Sequence, residues 1–323
     1  MKILLLGGSG LLGHNVLHEL LFRGHEPVAL VRQHGSIQGF GQSVHEYIGS
    51  LLDYDTLVDA SKGCEAIINC AGVTDMSLLH YDDYLPVNYN VCGLLIRLMH
   101  ATGIRRLVHV STANTIGYGS RQAPSSEDSE MLEPFVSSFY ARSKRAGEKL
   151  LLDEALHWQE AHIVVVNPGF IVGAYDVKPS SGKLLLAAYR KPFMVAPSGG
   201  KSFIAAQAAA VAVVNAVHLG QSGQRYLLTG ENLSLANFYR LQAKTCGYRQ
   251  QLWILPDALV SLAGRLGDLL RWLGFRTQLS SRNVRQLLVR EYYDGSRAQN
   301  ELGMPVVSIQ QAIRDFFGWR QCH

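Results

Sequence analysis

The chain opens on "KILLLG", a short unbroken apolar run closed by glycine. Runs of this kind mark strands buried on both faces of a parallel sheet. "LLGHNVLHELLFRG" follows with apolar residues at helical spacing and stops at Gly24, which suits a helix C-cap. The alternation then repeats. "EPVALVR" reads as a second strand and "HEYIGSL" as a third, ending near Asp53. "DYDTLVDASKG" reads as a short helix with Asp53 or Asp55 near its start. "EAIINCAG" is a fourth strand, residues 88–102 a longer helix, and "RRLVHVST" a fifth strand. Residues 137–156 form the next helix, and "AHIVVVNPGF" a sixth strand stopped by Pro168 and Gly169.

Strands alternating with helices predict an α/β fold, a doubly wound parallel sheet with right-handed crossovers. Ligands of such sheets sit beyond the carboxyl ends of the strands. The positions of interest are therefore Gly7, Arg32, Asp53, Ala71, Thr112 and Pro168. After about residue 172 the pattern loosens. "GAYDVKPSSGK" is loop-rich, "AAQAAAVAVVNAVHLG" reads as a helix and "QRYLLTG" as a late strand. The first unit is thus expected to span 1–172, with a return of the chain at about 201–230. Residues 173–323 are expected to form a smaller, mostly helical region that covers a substrate.

Composition changes this picture little. Of 323 residues, 47% are hydrophobic and 17% charged, which implies a sizeable core. The formal charge is +4 and the basic residues are scattered, so no nucleic-acid partner is expected. The start "MKILLLGGSGLLG" does not read as a leader, because Gly7-Gly8-Ser9-Gly10 interrupts its apolar run and no small-residue cleavage site follows. No stretch approaches the ~18 apolar residues of a membrane span, so no membrane partner is expected. Five cysteines, odd in number and without CxxC spacing, point to a reducing, cytoplasmic setting and to neither disulfides nor zinc. The twelve histidines are dispersed and no metal is expected.

Chemistry enters with "GGSGLLG". Gly7, Gly10 and Gly13 form a glycine triplet between a strand and a helix. Such a turn brings the backbone close to a pyrophosphate, whose charge the helix N-terminus favours. This context points to dinucleotide binding by residues 1–172. The second strand ends on Arg32, where NAD-selective folds place an acid; a cation there suits the 2′-phosphate of NADP(H). Asp53 reads either as an acceptor for the adenine amine or as a helix N-cap. Small residues in "NCAG", including Ala71, let a cofactor lie against the backbone. "VHVSTANTIGYG" puts Ser111 and Thr112 at the end of the fifth strand, either to hold a substrate oxygen or to close a local turn. Finally, "FYARSKRAGE" carries Tyr140 and Lys144 four residues apart, on one face of a helix. Of the 14 tyrosines only this one has lysine at that spacing, although about 0.4 chance matches are expected, so the pair gains meaning only from its place after the fifth strand.

Taken in order, "GGSGLLG", "NCAG", "VNYNVCGLLIRLMHATGIRRLVHVSTA", "YARSK", "NPGFIVG" and "YYDGSRAQNELG" resemble the extended short-chain dehydrogenase/reductase superfamily, also grouped as NAD-dependent epimerases/dehydratases. "ALVRQ" and "DVKPSSGKLLLAAYRKPF" are similar to its dihydroflavonol-reductase-like branch. The resemblance implies a Rossmann domain and cofactor contacts from Gly7, Gly10, Leu11, Leu12, Gly13, Arg32, Asp53, Ala71, Lys144 and Pro168. It implies Thr112, Tyr140 and Lys144 as catalytic residues, with Ser111 in place of Thr112 if the register slips by one. The lysine would lower the tyrosine pKa from about 10 by ~1–3 units. The activity implied is NADP(H)-dependent reduction of a carbonyl, or oxidation of the corresponding alcohol, on a small molecule. An NAD-dependent sugar-nucleotide epimerase and a non-catalytic NADP(H)-binding regulator are the alternatives. A homodimer through the helices 88–102 and 137–156 would follow the superfamily's habit. Two departures stand out. Ala113 and Asn114 replace the acidic pair of sugar-nucleotide dehydratases, and Gln207 replaces an acid common in relatives.

Overall fold

The computed structural model describes residues 1–37, 39–40, 43–177 and 180–321. Seven parallel strands form its central sheet: β1 (Lys2–Leu6), β2 (Glu26–Val31), β3 (His45–Ile48), β4 (Ala66–Asn69), β5 (Arg106–Val110), β6 (His162–Pro168) and a late strand (Arg225–Leu228). The order runs from the late strand through β6, β5, β4, β1 and β2 to β3. The chain leaves β1 in one direction to build β2 and β3, then returns to the other side of β1 to build the rest. The switch point therefore lies between β1 and β4, where doubly wound sheets open a ligand crevice.

The apolar runs are unbroken because both faces are covered. Ile3 and Leu5 belong to one core with α1 (Leu11–Phe22), while Leu4 and Leu6 belong to another with the helices α2 (Tyr54–Ala60) and α3 (Val91–Thr102). All four side chains are fully buried, each contributing about 1.5–3 kcal/mol relative to exposure. α4 (Phe139–His157) packs beside α3.

Beyond β6 the chain builds a second, four-stranded sheet. It contains β7 (Phe170–Val172), β9 (Gly200–Ala205), β11 (Glu231–Ser234) and β13 (Arg290–Glu291). A parallel ribbon pairs β8 (Phe193–Ala196) with β12 (Gln251–Ile254). The late strand of the central sheet is β10 in chain order. The intervening helices are α5 (Gly182–Ala188), α6 (Ala206–Ala216), α7 (Leu235–Thr245), α8 (Asp257–Trp272), α9 (Ser281–Arg285), α10 (Ser296–Leu302) and α11 (Ile309–Gln321). α6 packs on α1, and β10 extends the first sheet beside β6.

Two details differ from the sequence reading. β3 ends at Ile48 rather than at Asp53, because Gly49 and the following turn leave the sheet. The helix expected from residue 88 opens with a π-helical turn, Pro86–Asn90, before α3 begins at Val91. Among the described residues no helix is long and apolar enough to cross a membrane. Cys64, Cys70, Cys92 and Cys246 are free thiols, and Cys322 lies outside the described residues.

Candidate active site

The glycine turn sits at the end of β1, beside β4. Gly7 has φ +79°, and a Cβ there would stand 2.6 Å from the Ala71 nitrogen. Only glycine fits both constraints. A Cβ at Gly13 would lie 2.2 Å from the Gly7 oxygen, so α1 crosses the turn at backbone contact. Gly10 donates its N–H to Gly7 O at 3.0 Å and forms the N-cap of α1 without a side-chain cap. The first N–H groups of α1, those of Leu11 and Leu12 included, thus have no capping side chain, as an anion site requires. The crevice fits a pyrophosphate: a backbone cradle at a helix N-terminus, with no room for a Cβ at Gly7 or Gly13.

Arg32 leaves β2 beside this turn, since Leu6 pairs with Leu30 one strand over. It is exposed and has no hydrogen bond or ion pair among the described residues. Its loop is organised by Glu46, whose carboxylate accepts from Gly35 N at 3.0 Å and Ile37 N at 3.2 Å. Asp53 is the N-cap of α2 and accepts from Asp55 N at 3.3 Å and Thr56 Oγ1 at 2.5 Å. Of its two sequence readings the cap is the one seen.

On the other side of the switch point, Ala71 N donates to Asn69 Oδ1 at 3.0 Å, which fixes the end of β4. A Cβ at Gly72 would meet Lys144 Nζ at 3.6 Å and Asn88 Oδ1 at 3.5 Å. Lys144 is buried, and its ammonium donates to Val110 O at 2.7 Å. Burial pulls its pKa down, while Cys92, Glu148 and Cys70 pull it up. Tyr140 stands in the first turn of α4, after the Ser138 N-cap. Burial raises its phenol above the usual range and a hydrogen bond with Thr112 pulls the other way. The expected lowering by Lys144 is not seen, and the net shift is upward. Pro168 closes β6, opposite Leu228.

Ser111 and Thr112 part company. Ser111 donates to Glu148 Oε2 at 2.8 Å, whereas Thr112 Oγ1 closes the local turn by accepting from Asn114 N at 3.3 Å and also draws the Tyr140 pKa down. Glu148, fully buried, also accepts from Thr115 Oγ1 and Asn167 Nδ2, each at 2.8 Å, and from Arg145 Nη1 at 2.6 Å. It ties β5, β6 and α4 together. Sequence reasoning missed it, although Tyr140, Lys144 and Glu148 repeat one four-residue step along one helix face. Asn88 was missed too. It accepts from Val73 N at 2.8 Å and donates to Ser143 Oγ at 2.9 Å, joining the strand end to α4. Its sequence signal, a single asparagine in a helix, is not distinctive.

Above Tyr140 lies a narrow cavity lined by Met76, Leu78, Tyr84 and Phe139 and roofed by Arg271 and Arg282 of α8 and α9. A neighbouring cleft of about 430 Å³ shares Phe139 and both arginines. Arg271 donates to the carbonyl of Leu78, and Asn283 Nδ2 to that of Met76 at 2.8 Å, which pins the roof to the loop after β4. The Arg282 guanidinium lies 3.7 Å above the Phe139 ring.

A dinucleotide cradle and a tyrosine–lysine pair on one sheet edge define a Rossmann oxidoreductase of the extended short-chain dehydrogenase/reductase type. Residues 3–193 match the model of the NAD dependent epimerase/dehydratase family, and the chain belongs to that family. It is an NAD(P)-dependent enzyme. It is 26% identical to "Sterol demethylase protein B" of Methylococcus capsulatus over 99% of this chain and 98% of that protein. It is 28% identical to a "Putative dihydroflavonol 4-reductase" of Synechocystis, over 98% and 94%. A "4-hydroxy-2-methyl-3-oxo-4-farnesyl-3,4-dihydroquinoline-1-oxide ketoreductase" of Stigmatella aurantiaca is 29% identical over 94% and 91%. Among solved structures, a UDP-glucose-4-epimerase of Stenotrophomonas maltophila with bound NAD superposes with TM-score 0.78 at 20% identity, covering 100% of this chain and 98% of that one. That likeness supports the fold.

Proposed function

We propose that this chain is an NADP(H)-dependent oxidoreductase that interconverts a ketone and a secondary alcohol on a largely apolar small molecule, as a dihydroflavonol-4-reductase-like enzyme would. The observation that carries the proposal is the convergence of Thr112, Tyr140 and Lys144 at the strand ends beside the glycine turn. Gly7, Gly10, Leu11, Leu12 and Gly13 would hold the pyrophosphate, and Arg32 the 2′-phosphate. Asp53, while capping α2, would still offer a lone pair to the adenine amine. Ala71, Pro168 and Lys144 would flank the nicotinamide ribose. When bound, the cofactor supplies or accepts hydride.

The residues supply the proton and the positioning. A phenol held above its usual range is protonated at neutral pH, so Tyr140 is set to donate to a carbonyl oxygen. This favours the reducing direction. Thr112 holds the same oxygen against the phenol. Met76, Leu78 and Phe139 give an apolar patch, for a hydrophobic part of the substrate, in a cavity otherwise lined by Ser138, Asn283, two tyrosines and two arginines. The printed names of the sterol and farnesyl-quinoline relatives agree with that class.

The test is a panel of apolar ketones followed by NADPH absorbance. Tyr140→Phe should lose about 10²–10⁴-fold in turnover, with calorimetric NADPH affinity unchanged. Normal turnover in that variant would falsify the assignment. An epimerase would instead release tightly held NAD on denaturation of the purified protein, so assaying the released nucleotide separates the two readings.

A further inference from the structure

α8 is amphipathic with its apolar side turned outward. Val260, Gly264 and Gly267 lie on its buried side, and a Cβ at Gly267 would stand 2.3 Å from Leu279 O. The opposite side carries Leu259, Leu262, Leu266, Leu269 and Leu270, each between 42% and 57% exposed. At about 100° per residue they share one arc roughly 100° wide, the stripe that ordinarily faces a core. Trp272 closes the helix at 81% exposure, and Phe275 follows at 62%. Just upstream, the ribbon strand β12 adds Trp253 at 69% and runs into α8 through Leu255 and Pro256.

The charge around this stripe is one-sided. From Arg249 to Arg290 the chain carries seven arginines and two aspartates; Arg271 and Arg282 face the cavity, and the other five arginines leave a surplus of three over the aspartates. One aspartate, Asp268, accepts from Ser281 N at 3.0 Å, and the other, Asp257, accepts from Ser198 Oγ at 2.6 Å. Arg265 sits at the edge of the stripe and Arg276 just past its end, both exposed. A second copy docked face to face would oppose these arginines to themselves. An anionic lipid surface complements them. Leucine and tryptophan on one side with arginine at the margin is the make-up of a helix lying in the plane of a bilayer interface.

We propose that the outward face of α8 docks this protein on an anionic membrane surface. The expectation of no membrane partner rested on the absence of a spanning segment, a test that an interfacial helix does not meet. The inner side of the same helix roofs the cavity over Tyr140 through Arg271. A docked molecule would therefore hold its cleft at the lipid edge, where an apolar ketone resides. This last step rests on the proposed function; the docking itself does not.

The full chain is mixed with vesicles of phosphatidylcholine, with and without phosphatidylglycerol, and floated on a density gradient. It should rise with the anionic vesicles, and its tryptophan emission should shift to the blue. Leu266→Glu combined with Leu269→Glu changes only exposed positions, so its melting temperature should match wild type. Its vesicle partition should fall about tenfold or more. The proposal is overturned if the wild type stays in the buffer, or if wild type and variant float alike. It is also overturned if light scattering shows a vesicle-indifferent dimer that the double variant splits. Partition is read without turnover, so its failure leaves the catalytic assignment standing, and the converse holds.

Discussion

Ser111 and Thr112 are adjacent hydroxyls at the end of β5, yet the structure gives them different work. The Ser111 hydroxyl is spent on buried Glu148, while Thr112 caps the turn at Asn114 and pulls on the Tyr140 phenol. Ser111→Ala should therefore cost about 1 kcal/mol of stability, seen as a lower melting temperature, with turnover nearly intact. Thr112→Val should lose turnover, together with about 0.5–2 kcal/mol of stability from the cap it gives Asn114 N. It should also move the alkaline limb of the rate–pH profile upward, because the contact that offsets burial of the phenol is gone. An unchanged profile would remove Thr112 from the mechanism. Arg32 makes a separate claim. Arg32→Glu should raise KM for NADPH about tenfold or more, with NADH favoured in direct competition, since a charge-assisted contact to a 2′-phosphate would be replaced by repulsion. At this scale the spacing of Tyr140 and Lys144 was enough to place both on one helix, where the structure has them. The sequence was ambiguous at Ser111 and Thr112, because strand register decides which hydroxyl faces inward. It was silent at Glu148, whose partners other than Arg145 come from residues 19 to 77 positions away.

Elements were easiest to read where burial covers both faces. β1, β4, β5 and β6 follow directly from unbroken apolar runs, since each alternate residue enters one of two cores. The short strands β7, β9, β11 and β13 escaped notice because they are two to six residues long and pair across large sequence distances. Asp53 illustrates a boundary error: the third strand stops five residues earlier, and the carboxylate caps α2 instead. The glycine turn is the element on which the cofactor proposal depends most. Gly13→Ala would push a methyl to 2.2 Å from the Gly7 oxygen, with backbone on both sides and nothing flexible to yield. The expected result is loss of NADPH binding by calorimetry and a stability loss of about 1–3 kcal/mol from overpacking. Gly93→Ala on α3, outside the glycine turn, is the control, since its added Cβ would meet nothing nearer than Leu150 at 3.9 Å. It should retain most of its nucleotide affinity.

Across the whole molecule, the two ends of the chain meet on α1. His14 and His18 stand one turn apart on that helix. Tyr175, at φ 70°, stacks on His14 with ring centroids 4.4 Å apart and tilts against His18 at 4.5 Å. Phe40 closes one side of the group, and Trp319 of α11 reaches Tyr175 at 5.8 Å. This aromatic group links α1 to the C-terminal helix through Tyr175, a contact no local pattern could announce. It also makes the fold sensitive to acid. Burial, with a smaller contribution from His18, lowers the His14 pKa from 6.5 to about 4, and burial lowers His18 as well. Between those values the unfolded chain takes up a proton that the folded chain refuses. The stabilising effect of the neutral ring is therefore complete above pH 6.5 and is lost as pH falls toward 4. Melting temperatures measured from pH 7 to pH 5 should decline in the wild type. In His14→Phe, which keeps an aromatic ring but cannot bind a proton, the decline should be shallower, with His18, His25, His109 and His162 supplying the remainder. Parallel curves for the two proteins would show that the acid sensitivity arises elsewhere in the fold.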